Sequence, residues 1–242
     1  MTVKTVIRGG HEPTARFLGR RLLHWVKSVT VAFFCFLLIR ATVVEAFRIP
    51  TASMEGTLLV GDFLLVSKIG YGLNVPGTDI VLTGSAEPAR GEIIIFRPPH
   101  EPEKNYVKRI VGVPGDTIEM RDKSLFRNNI PVLETYARKV DGSRDAAHPD
   151  MKWQSRHSVT PWRPEYRPTR DNWGPIVVPN ESYFVLGDNR EISEDSRYWG
   201  FVTRDGIRGR PWLVYYSSEP KVDQSIRRSS KVRWNRIGMV IR

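Results

Sequence analysis

From Arg48 onward the chain contains no stretch with the period of a long amphipathic helix. It offers short apolar runs punctuated by glycine and proline instead. Asp62-Phe-Leu-Leu-Val-Ser-Lys68, Glu92-Ile-Ile-Ile-Phe96, Tyr106 to Val113, Ser182-Tyr-Phe-Val-Leu186 and Trp212-Leu-Val-Tyr-Tyr216 each read as a strand. Such a series predicts a mainly β fold built on an antiparallel sheet. Residues 137–175 break the series: they are rich in Arg, Asp, Pro and Trp and have no clear period. A loop this long predicts an inserted subdomain at 119–181, expected to be β-rich, which divides a catalytic domain into 46–118 and 182–242.

The segment before this region has a different character. Lys4, Arg8, Arg16, Arg20, Arg21 and Lys27 precede the apolar run Val29-Thr-Val-Ala-Phe-Phe-Cys-Phe-Leu-Leu-Ile39. A bilayer-spanning helix needs about 20 residues. Extending the run back to Leu22 supplies that length, with Lys27 able to snorkel. A cleaved leader would need a small-x-small site, which Ala41-Thr-Val43 and Val44-Glu-Ala46 match poorly. A buried helix would leave the basic flank unexplained. The expectation is an uncleaved anchor spanning about 22–40 within a segment 1–45. Its basic flank would be cytoplasmic and the remainder on the outer face.

Charge supports the same placement. Of the formal +11, residues 1–40 carry +6 and residues 204–242 carry +7, leaving −2 between them. A nucleic-acid groove would concentrate basic charge on the folded domain. Charge at both ends fits anionic lipid better. The basic, aromatic stretch Arg227 to Arg236 is expected either to rest on headgroups or to be solvated. Cys35 is the single cysteine, so neither an intrachain disulfide nor a cysteine zinc site is available. No His/Glu spacing suggests a metal site, and none is expected.

The chemistry concentrates in two segments. Arg48-Ile-Pro-Thr-Ala-Ser-Met-Glu-Gly-Thr-Leu-Leu-Val-Gly-Asp62 places Ser53 in a Pro/small-residue turn. A serine hydroxyl needs a base to become a nucleophile. The five histidines suggest no Ser-His-Asp arrangement: His11 and His24 fall on or before the anchor, and His100, His148 and His157 lie in polar or Pro-rich loops. Lys108 is set among Val107, Ile110 and Val111 in Tyr106-Val-Lys-Arg-Ile-Val-Gly-Val-Pro-Gly-Asp116. A solvated strand lysine would be inert. A buried one loses part of its proton affinity and can serve as a base near neutral pH. The polar run Gly187-Asp-Asn-Arg-Glu-Ile-Ser-Glu-Asp-Ser-Arg-Tyr-Trp-Gly200 follows an apolar strand, with a density of charge suited to a hydrogen-bond network orienting a catalytic group.

These three segments, together with Arg90-Gly-Glu-Ile-Ile-Ile-Phe96, resemble in order and spacing the sequence boxes of bacterial type I signal peptidases (leader peptidases). The boxes cover about 60 residues directly, and the anchor and insertion extend the likeness to nearly the whole chain. The resemblance implies Ser53 as nucleophile and Lys108 as general base. It implies Thr51 and the Ser53 N–H as oxyanion donors, and Ser193 as a hydrogen-bond partner that orients the lysine. Asp188 with Arg109, and Asp195 with Arg197, would be supporting ion pairs. Phe47, Ile49, Met54, Leu58, Tyr106 and Val107 would line a cleft accepting small side chains, as at Ala-x-Ala sites. The implied partners are signal peptides of exported preproteins, the lipid bilayer and the secretion machinery, without nucleic acid and without any cofactor.

Two positions depart from that pattern. Gly56 stands where the family has proline, and Glu191-Ile192 where it has Asp-Asn. Two rival functions remain: a self-cleaving, repressor-like serine/lysine protease, and a catalytically inactive membrane-anchored β-domain that binds partners.

Overall fold

The computed structural model describes residues 14–42, 44–71, 73–74, 81–82, 86–139, 145–159, 166–220 and 231–241. The basic residues Lys4 and Arg8, His11, and Arg227 and Arg228 of the C-terminal stretch lie outside the described residues. The chain divides into two compact units, Met1–Ala41 and Thr42–Arg242.

The first unit contains helix α1, Thr14–Thr42, of 29 residues. It is longer than the expected span 22–40 because Arg16, Arg20 and Arg21 are themselves good helix formers. Leu22, Leu23, Trp25, Val26, Val29, Val31, Phe33, Phe34 and Phe36 are all exposed on it. Among the described residues no helix is long and apolar enough to cross a membrane. Side chains beyond Phe36 on this helix are not among those described.

In the second unit the strands are β1 (Val44–Arg48), β2 (Asp62–Ser67), β3 (Leu73–Asn74), β4 (Val81–Leu82), β5 (Ile93–Phe96), β6 (Tyr106–Gly112) and β7 (Thr117–Arg121). They continue with β8 (Ser124–Arg127), β9 (Ile130–Pro131), β10 (Trp173–Val177), β11 (Ser182–Leu186), β12 (Val202–Thr203), β13 (Ile207–Ser217) and β14 (Met239–Val240). The principal antiparallel sheet runs β1-β2-β13-β5-β6-β11-β12, with β14 added to β13. A second sheet, β10-β7-β8-β9, takes its strands from within 117–177.

Each expected strand in the principal sheet corresponds to an observed one, but β13 is much longer than the expected Trp212–Tyr216. Gly209 and Pro211 hid its first half from the apolar pattern. The strand bends there. Ile207 and Gly209 pair with β5, whereas Arg210 to Ser217 pair with β2, and the register shifts at three points. Gly209 permits the crossing, since a Cβ there would lie 2.5 Å from the Ser67 carbonyl oxygen. In the second sheet, β7 turns into β8 through Asp122-Lys123 and β8 into β9 through Asn128-Asn129. All four turn residues have positive φ, the conformation of two-residue type I′ hairpins.

Strand β6 lies between β5 and β11, which is the feature that positions the chemistry. Alternation puts Tyr106, Lys108 and Ile110 on one face and Val107, Arg109 and Val111 on the other. Ile94 pairs with Lys108 and Ile93 with Arg109. Ile94, Phe96, Ile110, Tyr183 and Val185 form one apolar cluster, and Ile49, Met54, Leu58, Leu64, Ile93 and Ile95 form another. A lysine in the middle of this strand is therefore flanked by packed aliphatic side chains.

Candidate active site

Ser53 sits in a single 3-10 turn, Ala52–Met54, that opens directly after Thr51. Pro50 fixes the approach by removing a backbone donor and restricting φ. The turn is closed by bonds from the Thr57 and Leu58 amides to the Met54 carbonyl, at 3.1 and 2.9 Å. Its two ends are joined where Ile49 N donates to Asp62 O and Gly61 N to Ile49 O. Gly56 adopts φ of +122°, and a Cβ there would lie 2.8 Å from the Tyr136 carbonyl. Proline cannot adopt that φ, so the turn here follows a path closed to the family's usual residue.

The Lys108 amine lies 2.7 Å from Ser53 Oγ. Both residues are buried, at 4% and 8% exposed. Burial pulls the lysine from its ordinary 10.5 down to about 8; the Asp195 carboxylate opposes the shift and the Arg197 guanidinium adds to it. Thr51 Oγ1 stands 3.4 Å from Ser53 Oγ, at the exposed rim of the turn. The pair opens into a cavity of about 550 Å³ lined by Phe47, Ile49, Thr51, Met54, Tyr106 and Val107 among others. No histidine lines it. Among the described residues no group of His, Cys, Asp or Glu is arranged to hold a metal ion.

Leu58, expected in the cleft, is instead fully buried in the core beside Leu64 and Met54. The 3-10 turn and the bond from Leu58 N to Met54 O rotate it inward. The expected hydrogen bond between Ser193 and Lys108 is also absent. Ser193 Oγ is buried with no hydrogen-bond partner among the described residues.

Two buried arginines organise what surrounds the pair. Arg109 forks onto Asp188, with Nε 2.9 Å from Oδ1 and Nη2 2.8 Å from Oδ2. The same guanidinium donates to the Gly91 carbonyl and to Thr57 Oγ1, and stacks 4.0 Å from the Tyr136 ring centre. Thr57 also donates to Asp188. This knot ties strand β6, the serine turn and the 187–200 loop together. Arg197 forks onto Asp195 at 2.8 and 2.9 Å and donates to the carbonyls of Arg190 and Ser193. Burial alone would raise the Asp195 carboxyl, but the charge and hydrogen bonds of Arg197 hold it below the usual carboxylate range.

Two supports were not anticipated. Arg236 donates to both Asp62 carboxylate oxygens and to the Thr57 carbonyl, bracing the serine turn from the C-terminal segment. Arg233 likewise donates to the carbonyls of Val60 and Ser218. These two arginines of the basic stretch are therefore engaged within the fold. Charge alone hid the distinction; the signal was Asp62, an acid opening an apolar strand. The second support is Gly187. A Cβ on it would come 2.2 Å from Ser193 Oγ and 2.5 Å from the Ser53 carbonyl oxygen. The loop backbone thus presses against the nucleophile's own backbone, and Asn189 N donates to Ser53 O at 3.1 Å. Gly187→Ala is expected to lower kcat/KM at least tenfold and to cost about 1–3 kcal/mol of stability. Peptidase kinetics and urea unfolding of the variant measure the two effects.

Comparison with known proteins identifies a family. The sequence model of the family described as "Signal peptidase, peptidase S26" matches residues 22–216. A signal peptidase I of Pseudomonas aeruginosa is 34% identical, over 90% of this chain and 79% of its own length. One from Pseudomonas fluorescens is 35% identical over the same shares. One from Aquifex aeolicus is 32% identical over 76% of this chain and 80% of its own. With a match to most of its length and relatives above 30% identity, this chain belongs to the signal peptidase family, peptidase S26.

Proposed function

We propose that this chain is a membrane-tethered serine endopeptidase that removes signal peptides from exported preproteins after small-x-small sites. The observation that carries the proposal is the 2.7 Å approach of a buried lysine amine to a serine hydroxyl at the wall of an apolar cleft. Neutral Lys108 takes the Ser53 proton as Oγ attacks the scissile carbonyl, forming a tetrahedral oxyanion. Thr51 Oγ1 and the Ser53 N–H stabilise that oxyanion; such a donor is worth a few kcal/mol in the transition state. The protonated lysine then passes its proton to the leaving amine, the new amino terminus of the mature protein. Water, deprotonated by the regenerated neutral lysine, hydrolyses the acyl-enzyme.

The residues named in this cycle come from two pieces, the hydrogen-bonded serine turn and strand β6. Arg109 on β6 joins the two through its bond to Thr57 Oγ1 beyond the serine turn, and orientation of this kind supplies a large share of rate enhancement. Phe47, Ile49, Met54, Tyr106 and Val107 line the apolar surface that would receive the substrate backbone and its small side chains.

The tether is helix α1. Its 29 residues reach about 44 Å, longer than a hydrocarbon core of about 30 Å; the described residues fall short of a span by themselves, and Leu37-Leu-Ile39 continues the apolar run in the sequence. Its described apolar side chains from Leu22 to Phe36 are exposed, as a lipid-facing surface would be. The basic flank then lies in the cytoplasm and the peptidase domain on the outer face of the cytoplasmic membrane. A salt- or carbonate-wash that released the full chain from membranes would contradict this placement.

The proposal makes a pH prediction. With Lys108 at about 8, about a tenth of the enzyme carries the neutral base at pH 7. Log kcat/KM should rise with unit slope up to pH 8 and level above it. The assay uses detergent-solubilised full chain and a preprotein, with the cut position read by mass spectrometry. Cleavage after a small-x-small site with this profile supports the function. A break near 6.5, the ordinary range of histidine, or no cleavage at all would contradict it.

A further inference from the structure

Loop 187–200 carries one aliphatic side chain, Ile192, in an otherwise polar and charged run that ends in aromatic residues. It is 60% exposed and lines the same cavity as Ser53, Lys108, Phe47 and Val107. An exposed isoleucine on its own needs no explanation. Here, however, the backbone that presents it is fixed from both sides.

Glu191, just before it, turns away from the cleft. Its carboxylate lies 2.7 Å from Arg170 Nη1 and 3.2 Å from Lys123 Nζ, both on the 117–177 side of the chain. Ser193, just after it, is buried. The Arg197 guanidinium holds the carbonyls of Arg190 and Ser193 together, at 2.8 and 3.2 Å. Ile192 is the residue between these anchors that points to the cavity, followed at the rim by Glu194. A pre-ordered apolar wall gives up little entropy when a ligand binds it.

We propose that Ile192 is a specificity-determining residue: it forms an apolar wall for one substrate side chain larger than alanine, of leucine or norleucine size. This rests on the peptidase function proposed above. The small apolar positions served by Phe47, Ile49 and Met54 would be separate from it. The Glu191 clamp makes the wall rigid, so the preference belongs to this chain's Glu191-Ile192 pair and does not follow from the Ser53/Lys108 chemistry.

The test uses the full chain in detergent and a peptide set keeping small residues at the cut site. Each of the remaining upstream positions is varied in turn among alanine, asparagine, leucine and norleucine. At one position, leucine and norleucine should exceed asparagine in kcat/KM by about tenfold, the scale of a few methylenes in an apolar pocket. Ile192→Asn should collapse that ratio to within twofold, mainly through KM, and Ile192→Met should restore it. Glu191→Gln should weaken it to an intermediate value. A leucine-to-asparagine ratio that is near unity in the wild type at every position, or unchanged in Ile192→Asn, overturns the proposal. The peptidase function would survive that result, because it fails only if no peptide of the set is cleaved.

Discussion

Replacing Lys108 by methionine is expected to abolish peptide cleavage while making the fold more stable. Loss of a general base in a serine peptidase costs at least about a thousandfold in kcat, and Ser53→Ala should match it without adding to it. The stability effect has the opposite sign for a separate reason. The unfolded lysine titrates near 10.5, whereas in the fold burial pulls it down to about 8. Below pH 8 the wild type must therefore hold a charge it has desolvated, at a cost of roughly 3 kcal/mol. Methionine, of similar length and without charge, removes the cost. Between pH 8 and 10.5 the unfolded wild type binds more protons than the folded form, so wild-type stability rises with pH there. The advantage of Lys108→Met should be largest at pH 7 and shrink toward zero by about pH 10.5. Urea unfolding at several pH values measures it. A variant less stable than wild type at pH 7 would mean that burial of the charged Lys108 carries no desolvation cost.

Asp195→Ala is expected to have the largest destabilising effect. It strands the Arg197 guanidinium, 1% exposed and fully inside the protein, without a counter-charge. Breaking one side of such a pair costs about 3–5 kcal/mol, a large share of a typical domain stability of about 5–15 kcal/mol. The same change removes the acceptor for the Gly187 and Arg197 amides. The double variant Asp195→Leu/Arg197→Met should recover most of the loss, because an apolar pair avoids the desolvation penalty. It should stay poorly active, since Gly187, which packs against the Ser53 carbonyl, loses its Asp195 acceptor. The pH dependence has a defined sign. Asp195 is held below its ordinary range, so its contribution is complete above about pH 4 and disappears as the pH falls through its folded value. The gap between wild type and Asp195→Ala should be flat from about pH 5 to 7 and narrow in acid. Thermal unfolding across that range checks it.

How much of this could be read from the residues follows from what each kind of signal reports. Short apolar runs located the strands around Leu64, Ile94, Ile110 and Phe184 because both neighbours of each strand are packed. They failed on the first half of β13, where Gly209 and Pro211 serve a bend that no period describes. The Asp122-Lys123 and Asn128-Asn129 turns lie between Val113 and Ser182, where no apolar run marked an individual strand. At the site, the apolar company of Lys108 pointed to its burial, and motif spacing brought it to Ser53. Leu58 and Ser193 could not be placed that way. The inward turn of Leu58 depends on a hydrogen bond to Met54, and the packing of Ser193 against Gly187 depends on how loop 187–200 folds back on itself. Arg236 shows the same limit: a basic residue near a chain end gives no indication that it will reach Asp62, 174 positions earlier. Local composition reports burial and turn type. Partners brought together by the sheet are set by topology.

The identity of the acylated residue tests the central claim most directly. The full chain in detergent is treated at pH 9 with a slowly hydrolysed acylating ester, quenched in acid, digested and read by peptide mass spectrometry. The account predicts an acyl group on Ser53, formed in the wild type and lost in Lys108→Met. Acylation on another residue, or acylation of Ser53 at an undiminished rate without Lys108, would contradict it.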